Sequence, residues 1–214
     1  MRVFYLHGFA SSARSTKGSF FAAKLAPHQI TLEQPDLNEP DFSTLTVTRM
    51  IAQVSAAIDG SEGPVALIGS SLGGFVGVQA ALQRPDRVER LVLLAPALDF
   101  GGNGMRQIGG VGLEHWRTTG SLNVFHYGYG RMIPVHYELY ADARRYDAFN
   151  AAIAMPVQVF QGRRDTAVDP ETVERWSASR PNVELHMLDD DHQLLGSLDY
   201  IWGKTEPFLG LRRG

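Results

Sequence analysis

Three well-separated stretches of this 214-residue chain carry residue types that together could perform acyl transfer. Gly69-Ser70-Ser71-Leu72-Gly73 places Ser71 midway between two glycines. Asp165 lies in Gly162-Arg163-Arg164-Asp165-Thr166-Ala167-Val168, and His192 in Asp189-Asp190-Asp191-His192-Gln193. A serine hydroxyl attacks a carbonyl well only when a nearby base takes its proton, and imidazole does this near neutral pH. A carboxylate behind the imidazole orients it and stabilises its cation. Each of the three follows an apolar run, so all three belong on one rim of the sheet those runs would build.

The runs are short and β-prone: Val3–Leu6, Gln29–Glu33, Val65–Ile68, Val88–Leu94, Val157–Phe160 and Val183–Leu188. Several lack polar alternation, as strands buried on both faces do. Longer amphipathic stretches separate them. The pattern predicts helices over Lys17–Ala26, from an N-cap at Ser43 to about Ile58, and over Leu72–Gln83, Glu171–Ser179 and Leu194–Phe208. Val47, Met50, Ile51, Val54 and Ile58 follow helical spacing, and Pro170 sits where a helix accepts proline in its first turn. Strand and helix in alternation argue for a parallel sheet with covering helices.

One stretch departs from that rhythm. Residues 101–150 are too many for a plain crossover and hold Trp116, Phe125, Tyr127, Tyr129, Tyr137, Tyr140 and Tyr146. Long insertions in compact domains are functional or disordered, and aromatic content opposes disorder. A cap is expected, with helical pieces near Leu113–Thr118 and Tyr137–Tyr146. Trp116 is the candidate substrate-binding residue, with simple packing of the cap as the alternative.

Val65–Ile68 ahead of the serine and Leu72–Gln83 behind it give the strand–turn–helix context that G-x-S-x-G requires. So sharp a turn strains the central residue and crowds its neighbours, which is why Gly69 and Gly73 are both needed. A Gly/Ser turn without chemistry is the alternative. Ser70 is the competing serine, but only Ser71 has glycine two positions away on both sides.

Together with this elbow, His7-Gly8-Phe9-Ala10-Ser11-Ser12, with Ser15 and Lys17 after it, resembles the N-terminal signature of the α/β-hydrolase superfamily, most closely its small bacterial serine esterases. The likeness covers essentially the whole chain. It implies a three-layer α/β fold with a six-stranded, mostly parallel sheet in the order 2-1-3-4-5-6, forming a single domain over 1–214. It implies the chain order nucleophile, acid, histidine, and Gly162, Asp165 and Val168 match the family's G-x-x-D-x-x-V acid loop. It also implies an oxyanion hole made by the backbone N–H groups of Phe9 and Leu72; one such fixed donor is worth about 3 kcal/mol in the transition state. His7 would brace that loop. No cofactor is implied.

Asp169 is the rival acid, although its place before Pro170 suits a helix cap. Asp189, Asp190, Asp191 and His192 could also be read as hard metal ligands, but adjacent residues rarely converge on one ion, so no metal is expected. His186 is expected to pack within its strand, and His115, His126 and His136 to lie on the cap surface. Arg14 and Lys17 are expected to be solvated, with recognition of an anionic group as the alternative.

Bulk properties narrow the function classes. A formal charge of −3 gives no electrostatic case for nucleic acid or an anionic membrane. The absence of cysteine removes disulfides and thiol chemistry. Met1-Arg2 leads straight into Val3–Leu6, too short a run for a signal segment, so a cytoplasmic location is expected. The expected partner is a small-molecule ester, with a thioester, or the substrate of another acyl hydrolase using the same three residues, as the alternative. A non-catalytic binding protein of the same fold is the rival from another class.

Overall fold

In the computed structural model, which describes residues 1–102 and 109–211, five long apolar runs and one short one form a single parallel sheet. The strands are β1 (Arg2–Leu6), β2 (Leu32–Glu33), β3 (Val65–Ser70), β4 (Val88–Leu94), β7 (Val157–Gly162) and β8 (Val183–Leu188). Their order is β2-β1-β3-β4-β7-β8. That is the expected order, with the numbering raised by an extra hairpin, β5 (Ser121–His126) and β6 (Arg131–His136), inside the insertion. β1 and β3 pair from Arg2↔Val65 to Leu6↔Gly69, so β1 delivers His7 and Gly8 beside the elbow that follows β3.

Strand alternation divides the core into two halves. Phe4, Leu6, Leu67, Leu91, Leu93 and Val159 face one side. There they meet α2 (Val47–Asp59), α3 (Leu72–Gln83) and α6 (Pro170–Ala178). Val3, Tyr5, Ala66, Ile68, Val92 and Phe160 face the other, against α1 (Thr16–Leu25) and α7 (Leu198–Phe208). Both faces of the sheet are thus buried, which the unbroken apolar runs anticipate. α3 is apolar almost all round, because it is enclosed between the sheet and α2.

Two of the boundaries that differ from expectation have a cause visible in the side chains and backbone. The helix after residue 42 is capped by Thr46, whose side chain accepts from Arg49 N–H at 3.2 Å, and not by Ser43. Asp41 captures both the N–H and the hydroxyl of Ser43, which tightens Phe42–Thr44 into a 3-10 turn. Leu45 then runs extended before the true cap. The second strand is Leu32–Glu33 alone, because Gln29 takes a left-handed conformation (φ 60°) that closes a 3-10 turn over Ala26–His28.

The insertion contains α4 (Gly109–Thr119), the β5–β6 hairpin and α5 (Glu138–Ala143). Residues 103–108 of it lie outside the described residues. Trp116 fastens α4 to the hairpin by donating its indole N–H to Val135 O at 2.8 Å. The buried Asp142 accepts from both Thr48 N–H and Thr48 Oγ1 at 2.6 Å, fastening α5 to α2. Among the described residues no helix is long and apolar enough to cross a membrane.

Candidate active site

Ser71 sits at a sharp strand-to-helix turn. Its φ of 52° and ψ of −117° are a conformation that side chains rarely adopt. The turn is held from both directions: Ser71 N–H donates to Leu94 O, and Ser71 O accepts from Gly74 N–H and Ala97 N–H. The need for small neighbours is steric. A Cβ on Gly73 would lie 2.1 Å from Leu6 O, and one on Gly69 would lie 2.6 Å from Gly73 O.

The loop after β8 brings His192 to this turn. Its Nε2 lies 3.2 Å from Ser71 Oγ, and its Nδ1 lies 2.8 Å from Asp165 Oδ2. Asp165 is 7% exposed, and three donors besides His192 hold its carboxylate in place. Oδ1 accepts from Ala167 N–H and Val168 N–H, each at 2.8 Å, while Oδ2 also accepts from the Gln161 amide at 2.9 Å. Burial alone would favour the neutral acid. The hydrogen bond and charge of His192, with Val168 N–H and Gln161, outweigh it and hold the carboxyl below its ordinary pKa.

Asp169 is engaged elsewhere: it caps α6 and accepts from Glu171 N–H. The three carboxylates before His192 point apart. Asp189 pairs with Arg164, Asp190 accepts from Ser197 Oγ and Asp191 N–H, and Asp191 accepts from Gln193 N–H. Among the described residues no group of side chains is arranged to hold a metal ion.

The loop after β1 closes the site opposite His192. A Cβ on Gly8 would stand 3.3 Å from the Ser71 Cβ, so the backbone passes close over the serine. Phe9 and Leu72 both line the cleft at Ser71, and neither amide joins a turn or loop hydrogen bond among the described residues. Leu72 opens α3, where the first N–H groups have no partner within the helix and the helix end carries partial positive charge. His7 is buried beneath this loop; its Nδ1 lies 2.9 Å from Gly8 O, and its Nε2 accepts from Leu37 N–H at 3.0 Å.

The cleft over Ser71 has a volume of about 970 Å³. One wall is apolar: Phe9, Phe100, Trp116, Leu122, Val124 and Val168. Polar residues also line the cleft: Ser11, Ser12, Arg14, Thr16, Lys17 and Gln193. Trp116 reaches the cleft but is only 1% exposed, so what its contacts show is packing against Tyr137, Tyr140 and Val135.

Three features were not foreseen. The hairpin supplies much of the apolar wall, and Tyr127 N–H donates to Ala10 O at 2.8 Å, tying it to the loop that carries Phe9. The alternation in Ser121–His126, followed by Gly128 and Gly130, is a hairpin signal that the aromatic count obscured. His126 is fully buried and not on the surface, because Tyr129 stacks on it at 3.9 Å and Phe42 meets it edge-on. Lys17 is also buried, where a solvated side chain was expected, while Arg14 is exposed.

The parallel sheet, the elbow after β3 and the placement of the other loops on the same rim are those of the α/β-hydrolase fold. The structure superposes on alpha/beta hydrolase domain-containing protein 10 from mouse with a TM-score of 0.80 at 20% identity, over 97% of this chain and 89% of that one. The chain belongs to the Uncharacterised protein family (UPF0227), whose family model matches residues 2–206. Two curated relatives share shorter segments. Lipase LipV of Mycobacterium tuberculosis is 32% identical over 114 residues, 50% of this chain and 41% of the lipase. The mitochondrial palmitoyl-protein thioesterase ABHD10 of Bos taurus is 32% identical over 103 residues, 45% of this chain and 34% of the thioesterase. The matches thus span less than half the length of either curated relative.

Proposed function

We propose that this protein is a serine hydrolase that cleaves carboxylic esters of short to medium acyl or aryl groups through an acyl-enzyme. The observation that carries this reading is the continuous hydrogen-bonded path from Ser71 Oγ through His192 to Asp165, opening into a cleft with one apolar wall. The names of the relatives, a lipase and a thioesterase, support it.

In this mechanism the ester carbonyl lies over Ser71 with its oxygen toward the amides of Phe9 and Leu72. His192 Nε2 takes the hydroxyl proton as Oγ bonds to the carbonyl carbon. The negative charge that forms on the carbonyl oxygen is met by donors already in place, which need not reorganise. Asp165 holds the imidazole by Nδ1 and stabilises its cation. As the tetrahedral adduct collapses, the C–O bond to the alcohol breaks and His192 delivers the proton to that leaving oxygen. Water then repeats both steps against the acyl-serine, with the same base, and releases the acid and free Ser71. No step calls for a cofactor.

The cleft volume lies near the upper end of the range usual for small-ligand sites, about 300–1,000 Å³. The hairpin and α4 roof the apolar wall, so residues 101–150 serve as the cap of a single domain, with Trp116 and Phe100 against the acyl chain. A thioester is the second reading, favoured by the relative named as a palmitoyl-protein thioesterase. The same nucleophile, base and amides serve it, with a thiolate leaving.

The test is a series of p-nitrophenyl esters from acetate to dodecanoate, run beside acyl-thioesters on wild type and Ser71→Ala. The expected result is Ser71-dependent turnover of the esters, with KM falling as the acyl chain lengthens to medium size. A thioester kcat/KM far above every ester's would select the second reading. Equal rates for wild type and folded Ser71→Ala would remove both.

A further inference from the structure

Resting on the serine-hydrolase reading, we propose that Lys17 is a positioning residue for His192, acting through the backbone carbonyl of Gln193. Lys17 lies in the first turn of α1, is 7% exposed, and lines the same cleft as Ser71 and His192. Its Nζ donates to Gln193 O at 3.0 Å. Gln193 directly follows His192, so this bond fixes the Gln193–Leu194 peptide unit, one residue beyond the histidine.

The loop needs such a hold. Leu194, the next residue, takes a left-handed conformation (φ 56°) that non-glycine residues avoid. On the other side, Asp191 Oδ1 receives Gln193 N–H and Asp190 receives Asp191 N–H and Ser197 Oγ. The two bonds to Gln193, from Lys17 and to Asp191, therefore grip the peptide units on both sides of that residue from independent elements.

Stability alone does not account for a lysine at this place. A buried ammonium is costly, and an apolar side chain of the same length would fill the wall without that penalty. The helix start does not depend on it either, because Ser15 caps α1 and its hydroxyl also donates to Tyr5. Burial is the largest influence on Lys17 and lowers its pKa from 10.5 to about 8, against the opposing pull of Asp165, Asp191 and Asp190. The groups facing it are those three carboxylates and His192 from the loops after β7 and β8, with the Tyr5 phenol of β1 on the same wall. The ammonium thus stands where it balances the carboxylates around the imidazole and grips the peptide beside it.

The experiment measures the rate at which a p-nitrophenyl phosphonate traps Ser71, a reaction that needs the base but no deacylation, together with kcat and KM for an activated ester. Lys17→Met is expected to lose about tenfold to a hundredfold in trapping rate and in kcat, with KM within about twofold. Lys24→Met, on the same helix, serves as the control and keeps wild-type rates. Lys17→Ala is expected to recover part of its trapping rate when propylammonium replaces the missing side chain, while the wild type gains nothing. A second arm varies the pH: trapping by the wild type should fall severalfold as pH rises through about 8, in a step absent from Lys17→Met. Wild-type trapping and kcat in folded Lys17→Met would overturn the proposal. So would a loss that follows melting temperature alone, with no amine rescue and no alkaline step in the wild type. A wild type that is not trapped at Ser71 at all is a different failure: it removes the hydrolase reading, and this inference with it.

Discussion

A methyl group on Gly162 would stand 2.5 Å from the carbonyl oxygen of Asp190. The loop that carries Asp165 and the loop that carries His192 are therefore pressed backbone to backbone, with Arg164 N–H donating to Asp190 O at 3.0 Å. Gly162→Ala forces the two apart. The expected cost is about 1–3 kcal/mol in stability, and a loss in kcat/KM larger than the unfolded fraction explains, because the 2.8 Å His192–Asp165 contact depends on that approach. Thermal unfolding and ester kinetics on the same sample check both. A Gly162→Ala protein with wild-type kcat/KM would show that the contact tolerates displacement.

Ser71 stores backbone strain, because φ of 52° with ψ of −117° suits glycine and little else. Strain of this kind is worth about 1–3 kcal/mol, against a glycine penalty of about 0.5–1 kcal/mol. Ser71→Gly should therefore be inactive yet melt a few degrees above wild type. Calorimetry decides: a melting temperature below wild type would mean that lost contacts of the side chain outweigh the relief.

Asp165 bears on both activity and acid stability. Asp165→Asn removes the charge that supports the His192 cation and should lower kcat by roughly 10³–10⁴-fold. The folded-state pKa of Asp165 lies below its ordinary value, so the ionised group contributes stability at pH above about 4. That contribution is lost as pH falls through the lowered value. The wild type should accordingly lose stability below about pH 4 more steeply than Asp165→Asn, as chemical denaturation at a series of pH values would show.

Lys17 should trade stability for activity. Its pKa is lower in the folded protein, about 8, than the ordinary 10.5, so the folded state binds the proton more weakly than the unfolded one. The penalty is fully present below about pH 8 and disappears as pH rises toward 10.5. Lys17→Met should be more stable than wild type at pH 7, by on the order of 3 kcal/mol at most. That advantage should shrink as the pH approaches 10. A variant less stable than wild type at pH 7 would mean that Lys17 contributes more through its contacts than its burial costs.

The sheet was legible because its strands are buried on both faces, which writes Val3–Leu6 and Val65–Ile68 as unbroken apolar runs, and because turn residues mark their ends. The positions of Ser71, Asp165 and His192 were legible for the same reason: each stands just past a strand, and the structure brings them to one rim. What was hidden depends on contacts between distant segments. Nothing near residue 17 distinguishes a buried lysine from a solvated one; its environment is set by Gln193, 176 positions away. The burial of His126 likewise comes from Phe42, on another element, as well as from neighbouring Tyr129. The cap of the second helix was misplaced because Ser43 has the right residue type, and only the grip of Asp41 on it moves the start to Thr46.

The proposed roles of Ser71 as nucleophile and His192 as its base lead to a distinct pattern of covalent labelling. Treating the wild type with a fluorophosphonate and mapping the adduct by mass spectrometry of the digested protein tests it most directly. One phosphonyl group per chain, on Ser71, is expected, with labelling at least about a hundredfold slower in folded His192→Ala. An adduct on any other residue, or hydrolysis that continues at full rate once Ser71 is fully phosphonylated, would contradict these roles.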